Sequence, residues 1–374
     1  MDRRHFLSSL AALPLLAHAA PTPGRYERLL ILVELKGGND GLNTLIPYAD
    51  AEYSRLRPRL AIPRDQVVQL GESAGLHPAL ASLKPLWDGG ELAWAQGVGY
   101  PEPNLSHFRS IEIWETGSAS QEYLSDGWLA RVFRAAPPPA GFAAAGVSVA
   151  TEGMGPLLGA RAVSVSDPAG FVNRARLVNV AARPANGALA HLLKVGEDIR
   201  TAAQGLDAHT EFKTEFPRHR FGQACQAAAR VAAGRNVAAI RVSHDGFDTH
   251  GGQANVHERL LRELAEGVLA LRAALLEKDL WRDTLLMSYA EFGRRPRENG
   301  SGGTDHGTAA PHFLLGGGVK GGLYGQAPSL SRLDGGNLVH TVDFRGLYAT
   351  VIERWWGGDA RAALGGKFPT LDCV

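Results

Sequence analysis

Short apolar runs alternate with segments of helical periodicity along most of this chain. The first run, Leu29–Leu35, ends in the glycine-rich loop GGNDG, and a second run lies near Leu92–Val98. Later runs occur in NVAAIRVSHD, TLLMSYAEF and HFLLGGG. Strands that alternate with helices form a mostly parallel sheet with helices on both faces. The pattern therefore predicts an α/β fold with a mostly parallel central sheet.

The segments between these runs have the spacing of helices. One helix is predicted from Ser106 to Gly117, another in FGQACQAAARVAAG, and a long one in ANVHERLLRELAEGVLALRAALLEK. A last helix is predicted around DFRGLYATVIERWW. We expect a single domain over residues 25–374, with a helical insert around 186–234.

The N-terminus has the features of an export signal. Residues 1–20, MDRRHFLSSLAALPLLAHAA, combine a charged start, a short apolar run and small residues suited to cleavage. The sequence Arg3-Arg4 followed by His-Phe-Leu resembles the twin-arginine signal, and an ordinary secretory peptide is the alternative. We therefore expect a periplasmic or secreted protein, exported by the twin-arginine machinery and without a stable membrane anchor.

Charge and cysteine content limit the possible partners. The formal net charge is +1, and the chain has no basic tail, which argues against nucleic acid as the main partner. Cys225 and Cys373 lie in no CxxC pair, so a cysteine-rich zinc site is not predicted, and a bridge between them is left open. Any metal ligands must therefore be carboxylates, imidazoles or hydroxyls.

Charged loops follow several of the predicted strands. In α/β sheets, ligands gather at the carboxyl ends of the strands, so these loops should meet at one edge. Several carboxylates crowded together repel one another unless a cation is present, and zinc accepts carboxylate and imidazole together. The side chains concerned are Asp40; Asp245, Asp248 and His250; Glu291 with Arg294 and Arg295; and Asp305 with His306.

Several long motifs carry a resemblance to known families. They include LKGGNDGLNTLIPY, GYPEPNLSHFRSIEIWE, DGFDTHGGQ and GGTDHGTAAPHFLLGGG. Over nearly all of the mature chain, the sequence resembles domain-of-unknown-function family 1501, a bacterial family of exported twin-arginine proteins. Its TDHG and Asp–His loops also resemble the alkaline phosphatase superfamily, which includes the sulfatases. The resemblance implies a three-layer, alkaline phosphatase-like sandwich.

The resemblance also implies two metal positions on either side of a hydroxyl nucleophile. Asp40, Asp305 and His306 would hold one metal together with the nucleophile. Asp248 and His250 would belong to the other metal, with Asp245 as an alternative ligand. Zinc is the favoured metal, and magnesium, manganese or calcium are alternatives.

Ser106 is the predicted nucleophile, because it follows a strand and starts a helix. Free N–H groups at a helix N-terminus attract an anion, although serine at this position is also a common N-cap. Arg109 or Arg294 would steady the transferred anion through paired hydrogen bonds. Glu291 is grouped with these catalytic residues, and a plain ion pair with an arginine is its alternative role. The sequence around Ser106 lacks the Cys/Ser-x-Pro-x-Arg motif, so a sulfatase that uses an oxidised aldehyde is not expected.

Two functions remain open from the sequence. The first is an exported, metal-dependent hydrolase that acts on a small anionic phosphate or sulfate ester. The second is a non-catalytic exported binding or assembly protein that retains the fold, with an unknown protein partner and one structural metal. His107 and His77 are expected to be structural, and His257 to lie on a solvated helix face.

Overall fold

A computed structural model describes residues 26–150, 153–167, 170–171, 196–197, 199–206 and 210–374. The predicted signal segment, residues 1–20, lies outside the described residues, as does most of the first half of the predicted helical insert.

A nine-stranded sheet forms the centre of the molecule. Its strand order is β11-β5-β10-β9-β1-β8-β6-β7, and β14 also pairs with β5. Its strands are β1 (Leu29–Lys36), β5 (Leu92–Gly99), β6 (Gly146–Val149), β7 (Ala162–Val165), β8 (Ala239–Asp245), β9 (Thr284–Tyr289), β10 (Ala310–Leu315), β11 (Gly322–Tyr324) and β14 (Val342–Asp343). Short strands form two small sheets, with β2 (Leu45–Ile46), β3 (Val68–Gln69) and β4 (Gly75–Leu76) in one and β12 (Leu333–Asp334) and β13 (Asn337–Leu338) in the other.

The α-helices with described bounds are α1 (Ala51–Leu56), α2 (Lys84–Asp88), α3 (His107–Thr116), α4 (Trp128–Ala135), α5 (Arg220–Ala233), α6 (Gln253–Glu277), α7 (Phe344–Ala349) and α8 (Arg361–Leu364). A π-helical segment, Thr350–Trp355, continues directly from α7. The predicted helices in the Ser106–Gly117 region, in the FGQACQAAARVAAG segment and along ANVHERLL are confirmed as α3, α5 and α6.

Both faces of the sheet are covered, because successive strand residues point to opposite sides. In β1, Ile31 and Val33 pack into the core beneath α5 and α6, whereas Leu30 and Leu32 pack into the core beneath α3, α4 and α7. The predicted fold class, a mostly parallel sheet between two helical layers, is therefore confirmed. The division into one domain with an insert stays a prediction.

The strand directions bring distant loops to one edge of the sheet. Strands β9, β1 and β8 are neighbours and run parallel, so their carboxyl ends lie side by side. Strand β10 runs antiparallel to both β9 and β5, so the loop that precedes it reaches the same edge. Strand β5 therefore runs in the same direction as β9. Its carboxyl end, which leads to α3, lies at the same edge of the sheet.

Two side chains differ from their expected surroundings. His257 is 1% exposed, because α6 turns this residue toward the loop after β1, where the ring contacts the side-chain oxygen of Asn39 at 2.9 Å. The expectation of a solvated face for His257 was therefore wrong. Cys225 and Cys373 are both buried and free, so the structure contains no bridge between them.

Within the described part of the chain, we find no helix with the length and apolar character needed to span a bilayer.

His312 makes the fold sensitive to acid. Its ring is 1% exposed in β10, and burial lowers its pKa from 6.5 to about 3. Because the unfolded chain binds a proton near pH 6.5 and the folded chain does not, His312 costs stability as the pH falls from 6.5 toward 3, by up to ~1.4 kcal/mol per unit. We expect the free energy of unfolding of His312→Phe to fall less steeply than that of the wild type between pH 6.5 and 4.5. Urea unfolding at several pH values checks this, and parallel curves for the two proteins would contradict it.

Candidate metal centre

Three side chains from separate loops converge at the carboxyl edge of the sheet. His107 starts α3, Asp248 follows β8, and His306 precedes β10. One potential ligand atom from each lies within 4.8 Å of the other two. The Nε2 atoms of His107 and His306 are 3.4 and 3.3 Å from the Asp248 carboxylate oxygens.

His250 adds a fourth potential ligand. Its Nε2 atom lies 3.0 Å from Asp248 Oδ1 and 3.0 Å from His306 Nε2. Two ring nitrogens at such a distance need either a proton between them or a cation to which both bind. Three imidazole Nε2 atoms therefore face one carboxylate.

The other ring nitrogen of each histidine faces an oxygen. His306 Nδ1 donates to the carbonyl oxygen of Leu105 at 2.8 Å, and His107 Nδ1 contacts Glu291 Oε1 at 2.8 Å. The third, His250 Nδ1, lies 3.5 Å from Asp305 Oδ1. Oxygen partners at Nδ1 hold the proton there and leave the lone pair of Nε2 free, which is the usual arrangement around metal-binding histidines.

This donor set fits a divalent cation. Zinc binds histidine nitrogen and carboxylate oxygen at roughly 2.0–2.2 Å, so tetrahedral ligand atoms lie about 3.3 Å apart. The contacts between the three Nε2 atoms and Asp248 span 3.0 to 3.4 Å. His107, His306 and Asp248 would hold the metal, and His250, which contacts His306 and Asp248 but lies outside this group of three, is the candidate for a fourth ligand.

Asp248 is charged at neutral pH. Partial burial by itself raises the pKa of Asp248, but the hydrogen bond and positive charge of Arg294 outweigh it and hold the pKa at about 2. Arg294 Nη2 donates to Asp248 Oδ1 at 2.7 Å. The hydrogen bond to Glu291 raises the pKa of His107, whereas burial lowers the pKa of His306.

Close backbone contacts explain two glycines around the centre. Gly37, at the end of β1, has φ of +112°, and its N–H donates to Glu291 Oε1 at 2.9 Å. A Cβ atom at Gly303 would lie 2.3 Å from the backbone carbon of His250, so only glycine lets the TDHG loop touch the loop after β8.

The ring of Phe292 packs against those of His107 and His306, with centroid distances of 4.9 and 4.4 Å.

Ser106 lies beside this centre and is exposed. It is the N-cap residue of α3, but its side chain makes no capping hydrogen bond. Its chain neighbours are Leu105, whose carbonyl binds His306, and His107, a member of the centre. The alternative role as a hydrogen-bonded N-cap is therefore not supported.

Three carboxylates predicted as ligands lie outside the converging group. Asp40 is fully buried and forms an ion pair with Arg57 at 2.6 Å. Asp245 is exposed and accepts a hydrogen bond from Ser243 at 3.1 Å. Asp305 contacts Nδ1 of His250 and accepts a bond from Asn299, so it orients a ligand instead of facing the other Nε2 atoms.

The two arginines predicted to steady an anion have structural partners. Arg294 is completely buried, and its guanidinium donates to backbone carbonyls of the surrounding loops, including that of Gly38 at 2.7 Å. Arg109 donates to the carbonyls of Ser120 and Glu122 at 2.9 and 2.6 Å. The guanidinium of Arg294 is therefore not free to clamp a substrate, whereas Nε and Nη1 of Arg109 are buried without a hydrogen-bond partner and Nη1 lies 3.0 Å from Glu112 Oε2.

Sequence reasoning missed His107 as a ligand and the contact of Glu291 with it. His107 was expected to be a structural hydrogen-bonding residue. The signal that could have found it is its position after the carboxyl end of β5, the same placement that identified the other loops. Glu291 is 3% exposed and carries a buried oxygen, Oε2, that has no hydrogen-bond partner.

A family model described as a protein of unknown function (DUF1501) matches residues 93–355. The chain belongs to this family. Members are thus recognised by a segment that begins in β5 and ends in the π-helical segment, and it includes every side chain of the centre. Comparison with curated proteins gave no significant match.

Several solved structures are similar to this one. Ps i-CgsB aligns over 91% of this chain and 75% of its own, with 11% identity and a TM-score of 0.44. The PsFucS1 sulfatase from Pseudoalteromonas sp. aligns over 92% and 70%, with 12% identity and a TM-score of 0.41. An alkaline phosphatase superfamily protein from Vibrio parahaemolyticus aligns over 81% and 64%, with 11% identity and a TM-score of 0.39. At these identities and TM-scores the similarity does not bear on activity or substrate.

Substitutions of a ligand and of a residue that orients a ligand should weaken metal binding to different degrees. We expect His306→Ala to abolish measurable zinc binding, because it removes a ligand. Glu291→Gln should lower the affinity about 10- to 100-fold, because it weakens only the partner that orients His107. The matched control is Asp245→Asn, which alters a carboxylate at the same sheet edge outside the group. Competition with a chromogenic chelator gives the three affinities, and a loss in Asp245→Asn equal to that in His306→Ala would contradict the assignment.

Proposed function

We propose that this protein is an exported, metal-dependent hydrolase of phosphate or sulfate esters, with Ser106 as its nucleophile. The observation that carries the proposal is the convergence of His107, His306 and Asp248, with His250 in contact with His306, directly after the exposed Ser106 in the chain. A divalent cation held there would supply Lewis acidity and favour loss of a hydroxyl proton.

The chain's own residues supply the remaining parts of the reaction. In the proposed step, Ser106 Oγ loses its proton and forms a bond to phosphorus or sulfur, while the bond to the leaving oxygen breaks. The leaving oxygen takes up a proton and departs as an alcohol, and water then releases the anion from the serine. Ser106 also sits at the first turn of a ten-residue helix, where free N–H groups favour a negatively charged ester.

Charge around the centre supports an anionic substrate only when metal is present. Asp248 and Asp305 are both charged at neutral pH, because neighbouring groups lower their pKa values. Without a cation, these carboxylates would repel an ester dianion. The proposed activity is therefore strictly dependent on metal.

Turnover of simple esters tests the hydrolase. We expect protein reconstituted with zinc to hydrolyse at least one of the aryl phosphates, phosphodiesters or sulfates, and Ser106→Ala to lose at least about 10³-fold in kcat with unchanged metal content. The control is Ser301→Ala, which removes an exposed hydroxyl from the neighbouring loop and should leave turnover intact. Metal-loaded protein without turnover of any ester would instead favour a non-catalytic binding or assembly protein.

Export is a separate part of the proposal, and it depends on the Arg3-Arg4 pair. We expect replacement of both residues by lysine to keep the precursor in the cytoplasm of a bacterial host, because the twin-arginine pathway reads the pair itself and not its charge. Fractionation of cells that express the two forms gives the result. Equal export of both forms would indicate an ordinary secretory signal.

A further inference from the structure

Asp40 has no free oxygen for a metal ion. The resemblance to the alkaline phosphatase superfamily implies that this residue helps to hold one of two metals. Instead, its Oδ2 accepts from Arg57 Nη1 at 2.6 Å, and its Oδ1 accepts from Arg57 Nη2 at 2.8 Å. The side-chain amide of Gln253 also donates to Oδ2. The carboxylate is fully buried, so solvent does not compete for it.

The guanidinium of Arg57 is likewise fully hydrogen-bonded at this position. Besides its two bonds to Asp40, the guanidinium donates to Asn43 Oδ1 at 2.7 Å and to the carbonyls of Pro296 and Arg295 at 2.8 and 3.1 Å. These bonds use all five N–H donors of an arginine side chain. Arg57 is itself 0% exposed, so it cannot swing aside into solvent without opening the core.

The charges exclude a metal ion at Asp40. Burial by itself raises the pKa of Asp40, but the charge and hydrogen bonds of Arg57 outweigh it, and the pKa is lowered below the usual value. The carboxylate is therefore an anion that a fixed monovalent cation already neutralises. Arg57 would repel a divalent cation at short range, and it bonds both oxygens of a carboxylate closed to solvent, whereas Arg294 bonds only Oδ1 of Asp248, which is 45% exposed.

We infer that this protein binds one divalent cation per chain, and that the guanidinium of Arg57 takes the place of the second cation at Asp40. Arg57 also performs the structural part of a metal's role. It joins the loop after β1 to the backbone at Arg295 and Pro296, directly after Arg294. The loops behind the centre are thus held by a charge that the chain supplies, and a single ion is left for chemistry at His107, His250, His306 and Asp248.

Metal content per chain tests the inference, which rests on the metal centre of the proposed function but not on its hydrolytic activity. Purified protein is saturated with zinc, desalted and measured by elemental analysis and native mass spectrometry. One zinc per chain is expected. Two ions per chain would overturn the inference and leave the hydrolase standing. No bound zinc would overturn the inference and the proposed metal centre together, whereas one ion without ester turnover would count against the hydrolase alone.

Two matched substitutions locate the ion. Asp40→Asn and Asp248→Asn make the same chemical change at two residues that the sequence marks as ligands. We expect Asp248→Asn to lose zinc, and Asp40→Asn to keep one zinc per chain with a lower Tm, because Arg57 loses its counter-charge. Loss of zinc from folded Asp40→Asn would overturn the inference. If Asp40→Asn does not fold, Arg57→Lys serves in its place, and two zinc ions per chain in the wild type would still refute the inference.

Discussion

The buried guanidinium of Arg294 holds the functional edge of this molecule together. It donates to the carbonyls of Gly37 and Gly38 after β1, of Phe247 after β8 and of Thr304 before β10, and to the carboxylate of Asp248. Parallel strands bring these loops to one edge, but strand pairing does not set the position of a side chain beyond the last residue of the strand. A single planar cation with several N–H donors can do so, because its bonds reach three different loops from the same group. The geometry of the candidate metal centre therefore depends on a residue that is not among its potential ligands.

Two carboxylates at this edge are each paired with a buried arginine, but they differ in exposure. At Asp40 the protein neutralises a buried carboxylate with its own arginine, and breaking such a pair costs about 3–5 kcal/mol because the remaining charge is left unpaired. At Asp248 the carboxylate is 45% exposed, and besides Arg294 it faces the Nε2 atoms of three imidazoles. The first arrangement is closed and contributes to stability, whereas the second remains accessible to an ion and a substrate. Ser106 lies beside the open one.

The sequence predicted the location of the site more accurately than the residues that form it. Asp248, His250 and His306 were predicted as ligands, and the structure brings them together because they follow or precede neighbouring strands. Asp40 met the same sequence criterion, yet Arg57 binds it, and no short-range pattern links residues that are 17 positions apart, with β2 and α1 between them. His107 was missed for the converse reason, since its role depends on Glu291, which is 184 residues away along the chain. A side chain that would bind metal and one that is held by another side chain look the same in sequence when the partner that decides between these roles is far away along the chain.

By itself, the sequence determined the order of strands and helices, the mostly parallel sheet with two helical layers, and the glycine-rich loops at strand ends, because these follow from local periodicity and backbone freedom. It also predicted that any metal ligands are carboxylates, imidazoles or hydroxyls, because neither cysteine lies in a CxxC pair. Only the tertiary structure decided which of the predicted side chains converge at the candidate centre and which, like Asp40, are enclosed by other groups. That choice depends on distances of about 3 Å between side chains far apart in sequence, and on the burial that strengthens one ion pair while leaving another group exposed.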